Sequence, residues 1–268
     1  LADWNGLIIA AIANAAAVFN RPIWLDVARR AFTFVEETMF ANGRLMHSWR
    51  EERLKHPATL DDYANMSRAA LTLYEVTGKS SYLVCAENWL ETIELHYANP
   101  DGCGYYLSAD DTPHLIVRAK IAADNAVPSG NGTLAGVFAR LYYLTGKDKY
   151  RTRSEAVISA FSGGEETHLL SMSTLVNNAD VLSNALQIVI IGNREENATQ
   201  AMVRATYSVS LPNKVLQVIT PEEVLPNHHP ARNKGQITGL ATTYVCNGQV
   251  CSAPFIDPEA LAADLRAR

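Results

Sequence analysis

The chain has 268 residues, enough for one large domain or two small ones, and its 48% hydrophobic and 19% charged content suits a folded protein with a substantial core. A net charge of −5, from 23 basic and 28 acidic side chains, removes the global basic field that would favour nucleic acid as a partner. No apolar run reaches the ~18–20 residues needed to span a bilayer, so no membrane partner is expected; the longest, Gly6 to Phe19, is interrupted by Asn14 and reads as a buried helix.

Residues 4–19 and 22–40 are predicted as a first helical pair joined at Asn20-Arg21-Pro22. Leu1 stands first, with Trp4 and Asn5 already inside a strong helical pattern and no signal peptide, so an upstream portion is expected. Asn42-Gly43 ends the second helix, and Arg44 to Trp49 is predicted as an extended segment leading through His56-Pro57 to the next pair, 60–77 and 80–97. Leu60, Tyr63, Ala64, Ser67, Leu71 and Tyr74 fall at helical spacing and should face inward, and Gly78 suits a helix C-cap. The Gly-rich turn from Asn99 to Gly104, followed by Tyr105 and Tyr106, is predicted as a short hairpin or compact loop. A third pair covers 129–145 and 148–162 after a polar loop from Arg118 to Pro128, and another helix fits 168–184, making about seven. The stretch LYEVTGKSSY from Leu73 returns as LYYLTGKDKY from Leu141, 68 residues on, which marks a repeat of helical hairpins.

The pattern changes after residue 185. Gln187 to Gly192 and Lys214 to Ile219 are predicted strands around a helix at Ala198 to Tyr207, which implies parallel pairing with a right-handed crossover. Thr242 to Cys246 and Val250 to Ala253 flank Asn247-Gly248 as a hairpin, and a last helix starts at Asp257-Pro258. The expected fold is mainly α: a repeat of helical hairpins over 1–185, with a small α/β element over 186–268. None of Cys85, Cys103, Cys246 and Cys251 has zinc or redox-pair spacing; Cys246 and Cys251 face each other across the hairpin, but free thiols in a reducing cytoplasm are expected.

Five stretches in order, Trp4 to Leu7, Leu60 to Ala64, Leu73 to Gly78, Asp124 to Asn131 and Tyr244 to Pro254, together resemble the C-terminal portion of the spermatogenesis-associated, thioredoxin-domain-containing protein family. The resemblance implies an (α/α)6 toroid similar to sugar 2-epimerases and six-hairpin glycosidases, preceded in the family by a thioredoxin-like domain. About seven helices rather than twelve, and no thioredoxin-like segment, make this chain a partial toroid.

The candidate catalytic residues are Asp61, Asp62 and Asp124. Paired carboxylates at a cleft can divide acid and base roles; against this, Thr59 and Asp62 have capping-box spacing, and neighbours on a helix point about 100° apart. Asp124, Asn125, Ser129 and Asn131 precede or enter a helix whose free N–H groups can hold an anion or a sugar hydroxyl, with Arg118 and Lys120 just before it; a capped turn with two solvated cations is the plainer alternative. Trp4, Asn5, Tyr63, Tyr105 and Tyr106 are candidate substrate contacts, the aromatic ones by stacking on sugar rings, with core packing as the alternative. His47 is read as structural unless it serves as an acid/base group, as histidines do in the epimerases. His228-His229 lacks carboxylates at ligand spacing, and Gly192 stands alone in its strand–turn–helix, so neither a metal nor a nucleotide cofactor is expected. A carbohydrate-binding or carbohydrate-processing domain using loop carboxylates is the expected function, with a non-catalytic scaffold partnering a thioredoxin-like domain as the alternative.

Overall fold

A computed structural model describes residues 1–100, 102–163, 166–248 and 250–268, with side chains left aside for 166–168. Asp101 of the Gly-rich turn and Gln249 of the terminal hairpin motif lie outside the described residues.

Seven helices form two layers. Helices α1 (Ala2–Val18), α3 (Leu60–Thr77), α5 (Gly130–Thr145) and α7 (Ser173–Asn184) pack in series as an inner row, and α2 (Pro22–Thr38), α4 (Ser80–His96) and α6 (Asp148–Phe161) each back the inner helix before them. The inner helices α3 and α5 are buried on nearly every side, whereas α2 buries only Ala28, Phe32 and Val35. Small residues bring the inner row close: a Cβ on Gly6 would stand 2.5 Å from the backbone carbon of Asn65. One continuous apolar core runs between the layers.

The sequence repeat is a repeat of turn chemistry. Gly78 and Gly146 end α3 and α5 in the left-handed region, with φ of 73° and 69°, and each donates its N–H to the tyrosine four residues back. The threonine before each glycine bonds back to a leucine carbonyl (Thr77 to Leu73, Thr145 to Leu141) and accepts from the lysine that follows. The turn between α1 and α2 uses Asn20 at φ 50° and Pro22 at the first position of α2.

Two small sheets complete the fold. The segment after α2 is a three-stranded antiparallel sheet of β1 (Phe40–Ala41), β2 (Arg44–Arg50) and β3 (Arg53–Pro57). The predicted extended segment RLMHSW falls in β2, but β3 is polar and mostly exposed and gives no such signal. The second sheet has order β5-β4-β6-β7, from β4 (Leu186–Ile191), β5 (Lys214–Ile219), β6 (Thr242–Asn247) and β7 (Val250–Cys251). Strand β4 is buried throughout, runs parallel to β5 through the crossover helix α8 (Asn197–Tyr207), and pairs antiparallel with β6. Helix α9 (Pro258–Arg266) packs on α8.

This sheet seats on the C-terminal ends of the inner helices, where carbonyls lack helical partners. Arg194 donates to the carbonyls of Glu75 and Val76, and Gln187 to that of Tyr143. Cys246 faces Cys251 in the β6–β7 register and the two form a disulfide, which corrects the expectation of free thiols: the hairpin register holds the sulfurs together. Cys85 and Cys103 are free. Among the described residues no helix is long and apolar enough to cross a membrane.

Candidate functional site at the helix N-termini

The sheet covers one end of the inner row; the other end, where α1, α3 and α5 begin, collects titratable groups. Asp62, third residue of α3, is fully buried and accepts from four donors. Its Oδ2 takes the Thr59 N–H at 2.7 Å and the Thr59 hydroxyl at 2.9 Å, its Oδ1 takes the Asp3 N–H at 2.8 Å, and His47 Nδ1 reaches both oxygens at 2.9 and 3.1 Å. The carboxylate therefore closes a capping box on α3, ties down the first turn of α1 and fixes the ring of His47 on β2. Nδ1 is the ring nitrogen of His47 that faces Asp62, and Nε2 has no protein partner among the described residues. The Asp62 hydrogen bond is the largest influence on His47 and raises its pKa, with burial opposing.

Asp61 points elsewhere, as helical geometry requires. It is half-buried, and Gly130 N–H at the start of α5 donates to its Oδ1 at 2.7 Å. A Cβ at Gly130 would collide with that oxygen, so the glycine permits the contact. Burial is the main cause that pushes the Asp61 pKa to about 6; the Gly130 hydrogen bond and His47 pull it down, while Asp62 and Asp3 add to the rise. Asp3 is also buried, with Oδ1 unpartnered among the described residues, and burial first and the Asp62 charge second raise its pKa. The oxygens and nitrogen of Asp3, His47 and Asp62 lie within 4.8 Å of one another, the spacing of a metal site. Asp62 is already saturated by four donors, however, so its oxygens act here as a hydrogen-bond hub rather than as spare ligands. A second such group, His96, Asp110 and Asp111, is spent on ion pairs: His96 with Asp110 at 2.9 Å and Arg44 with Asp111 at 2.5 Å.

Most other candidate residues near this end hold the loop together. Asp124 accepts from Ser129 N–H at 2.9 Å and Thr174 N–H at 2.7 Å, bracketing the starts of α5 and α7. Ser129 caps α5 by accepting from Gly132 N–H and donates to the Ala122 carbonyl. Asn131 is buried, exchanging bonds with both backbone groups of Tyr105 and donating to Ile121. Arg118 donates to the carbonyls of Ser108 and His96 and lies 4.2 Å over the Tyr106 ring, while Lys120 donates to Cys103. Tyr63 and Tyr105 are 1% and 3% exposed, so neither presents a ring face to a ligand. Asn5 bonds back to Leu1, Asn125 is exposed, and Trp4, 61% exposed, is an open aromatic surface at the start of α1. Asp3 was missed by sequence reasoning, since one acid in a first helical turn is an ordinary dipole partner. His47 was read as structural; its place opposite Asp62 depends on the β2–β3 hairpin.

A cavity of about 960 Å³ lies elsewhere, between α5, α6 and the loop of His228. Of the two carboxylates that line it, Asp148 and Glu155, the second is paired with Arg151 at 2.9 Å. The two carboxyls whose pKa is raised, Asp3 and Asp61, both lie in first helical turns, and the candidate site is drawn around them.

The row of inner helices with outer helices behind it defines the class: a helical-hairpin toroid. An α-mannanase of glycoside hydrolase family 76 from Bacteroides thetaiotaomicron superposes with a TM-score of 0.52 over 78% of this chain and 56% of that one, at 13% identity. A family 76 glycoside hydrolase from a bovine strain of the same species gives 0.51 over 76% and 46%, at 15% identity. These likenesses show the fold. In sequence, the chain is similar to spermatogenesis-associated protein 20: 32% identical to the protein of Homo sapiens and 30% to that of Rattus norvegicus, each over 96% of this chain. That match bears out the resemblance carried by the five motifs. The chain spans 35% of the length of these relatives. No family model matches it.

Proposed function

We propose that the mouth at the starts of α1, α3 and α5 binds carbohydrate, and that Asp61 serves there as a general acid and base beside His47. Asp61 carries the proposal: a half-buried carboxyl with its pKa near 6 has about a tenth of its population protonated at pH 7, and can both give and take a proton at a sugar oxygen or carbon. Asp62 is a positioning residue that orients His47 and leaves Nε2 as the second proton-transfer atom. The toroid fold is one in which an α-mannanase works, which supports a sugar as ligand by fold analogy. A glycoside hydrolysis or a proton abstraction beside a carbonyl uses the same two groups. A thermal-shift screen with mono- and disaccharides is the test. Stabilisation by at least one sugar, abolished in Asp61→Ala, is expected; flat curves across the panel would sink the idea.

A second reading has one observation in its favour. Asp124, Ser129, Asn131 and Arg118 are spent on backbone bonds, as a rigid scaffold requires. On this reading the domain presents a surface to a thioredoxin-like domain of a longer protein, and flat sugar curves with binding to that domain are the outcome. Either way we place the protein in the cytoplasm, where Cys246 and Cys251 would exchange between thiol and disulfide.

A further inference from the structure

Seven residues beyond Asp61 on α3, about 10 Å along the axis at 1.5 Å per residue, stands Arg68. It lines a cavity of about 510 Å³ together with Glu75 of α3, Arg140 of α5, Lys214 of β5 and the Tyr207 ring. An adjoining cavity of about 350 Å³ between α3, α5 and α7 shares both arginines. The larger cavity thus has three cations and, among its lining residues, one carboxylate.

That carboxylate is already used. Glu75 Oε1 accepts from Arg140 Nη1 at 3.0 Å and Oε2 from the Leu216 N–H at 3.2 Å. Arg140 Nη1 also donates to the Lys214 carbonyl at 2.9 Å, which leaves its Nε and Nη2 without a hydrogen-bond partner among the described residues. The Arg68 guanidinium has no hydrogen bond or ion pair among those residues, though its carbonyl accepts from the Thr72 hydroxyl, and the Lys214 ammonium has only the Tyr207 ring, at 4.9 Å. In the smaller cavity Asp180 accepts from Asn184. Arg68 opens to solvent, yet burial first and the Arg140 charge second push its pKa down; burial also lowers that of Lys214, with Glu75 opposing and Arg140 adding. Crowding three cations, two of them without an ion-pair partner among the described residues, around one cavity costs stability, and such local violations mark binding sites.

We propose that this cavity binds the phosphate group of a small phosphorylated ligand, with Arg68 and the free edge of Arg140 on its oxygens and Lys214 supplying the third charge. A guanidinium fork matches phosphate geometry, and the volume lies within the ~300–1,000 Å³ of small-molecule sites, too large for the inorganic ion alone. The cavity carries this whether or not the mouth carboxylates are catalytic.

Calorimetric titration of the 268-residue chain with glucose 6-phosphate, inorganic phosphate and glucose, at constant ionic strength, is the test. Glucose 6-phosphate is expected to bind at least about tenfold more tightly than either other probe, a preference worth about 1.4 kcal/mol. Arg68→Gln and Lys214→Gln, each folded by circular dichroism, should remove the preference over glucose, and Arg68→Lys should keep part of it. Equal affinity for glucose and glucose 6-phosphate, or an undiminished preference in both Gln variants, would overturn the site. Inorganic phosphate binding as tightly as the sugar phosphate would overturn the assignment to a phosphorylated small molecule. Asp61→Asn serves as the control for the mouth: weakened glucose binding there with the phosphate preference intact separates the two proposals.

Discussion

Asp61 and Asp62 are one peptide unit apart, and about 100° of helix rotation gives them different chemistry. Asp62 faces the β2 hairpin and α1, where four donors meet it. Asp62→Ala strips the capping box and leaves buried donors unpaired, so a loss of about 3–5 kcal/mol is expected in urea unfolding. Asp61 behaves oppositely. Its folded pKa of about 6 exceeds the reference of 3.8, so between those values the folded state holds more of the proton and stability falls as pH rises. The cost above pH 6 is at most about 3 kcal/mol, reduced by solvent screening. Asp61→Asn keeps an acceptor for Gly130 N–H and should be more stable than the parent at pH 7.5 by about 1–2 kcal/mol, with the gain gone at pH 4. An unchanged or lower stability at pH 7.5 would mean the carboxyl is not strained by burial. His47 adds a slope of the same sign in a higher window: its raised pKa makes the pairing with Asp62 fully effective below 6.5 and lost as pH climbs through the folded value. The acid pair and its capping spacing were legible in the sequence, as were Ser129 as N-cap and the helix entry at Gly130. The roles of Asp3 and His47 were not, because both depend on a hairpin and a helix start brought in from 59 and 15 residues away.

At the scale of elements, close approach decides the inner row. Gly6→Ala sets a methyl 2.5 Å from the Asn65 backbone, which no rotamer relieves, and α1 must move off α3; a loss of about 2–4 kcal/mol is expected in thermal or urea unfolding. Retained stability would show that α1 shifts freely. The helices were readable because apolar spacing, Gly78 and Gly146 as C-caps and Pro22 and Pro258 as first residues each mark a boundary by a local rule. Strand β3 was not readable, since RLKHP is polar and exposed and pairs through its backbone alone. Burial in strands shows as an unbroken apolar run, and β4 was found on that basis. The cysteine pair illustrates the limit: hairpin register brings Cys246 opposite Cys251, but oxidation is set by the surroundings as well as by geometry. If the protein works in the cytoplasm, alkylation and mass spectrometry of the freshly extracted chain should find a fraction of the pair reduced. Complete oxidation in cells would contradict that location.

At the scale of the whole molecule, the two ends of the inner row differ. The sheet occupies the C-terminal end through Arg194, Gln187 and Glu75, while the N-terminal end keeps its titratable groups at the surface or just beneath it. A repeat of helical hairpins followed from helical period and repeated turns, and the toroid from the family resemblance; the use of the toroid did not follow, because loops and ends carry chemistry and are joined only by the fold. The central claim is that the N-terminal end transfers protons on a sugar through Asp61. The most direct measurement is turnover of a panel of mannose- and glucose-containing disaccharides between pH 5 and 8, by the chain and by Asp61→Asn at equal folded concentration. Turnover with a limb near pH 6 that is lost by at least about a hundredfold in Asp61→Asn is expected. No turnover on any sugar, or equal rates in the variant, would contradict it.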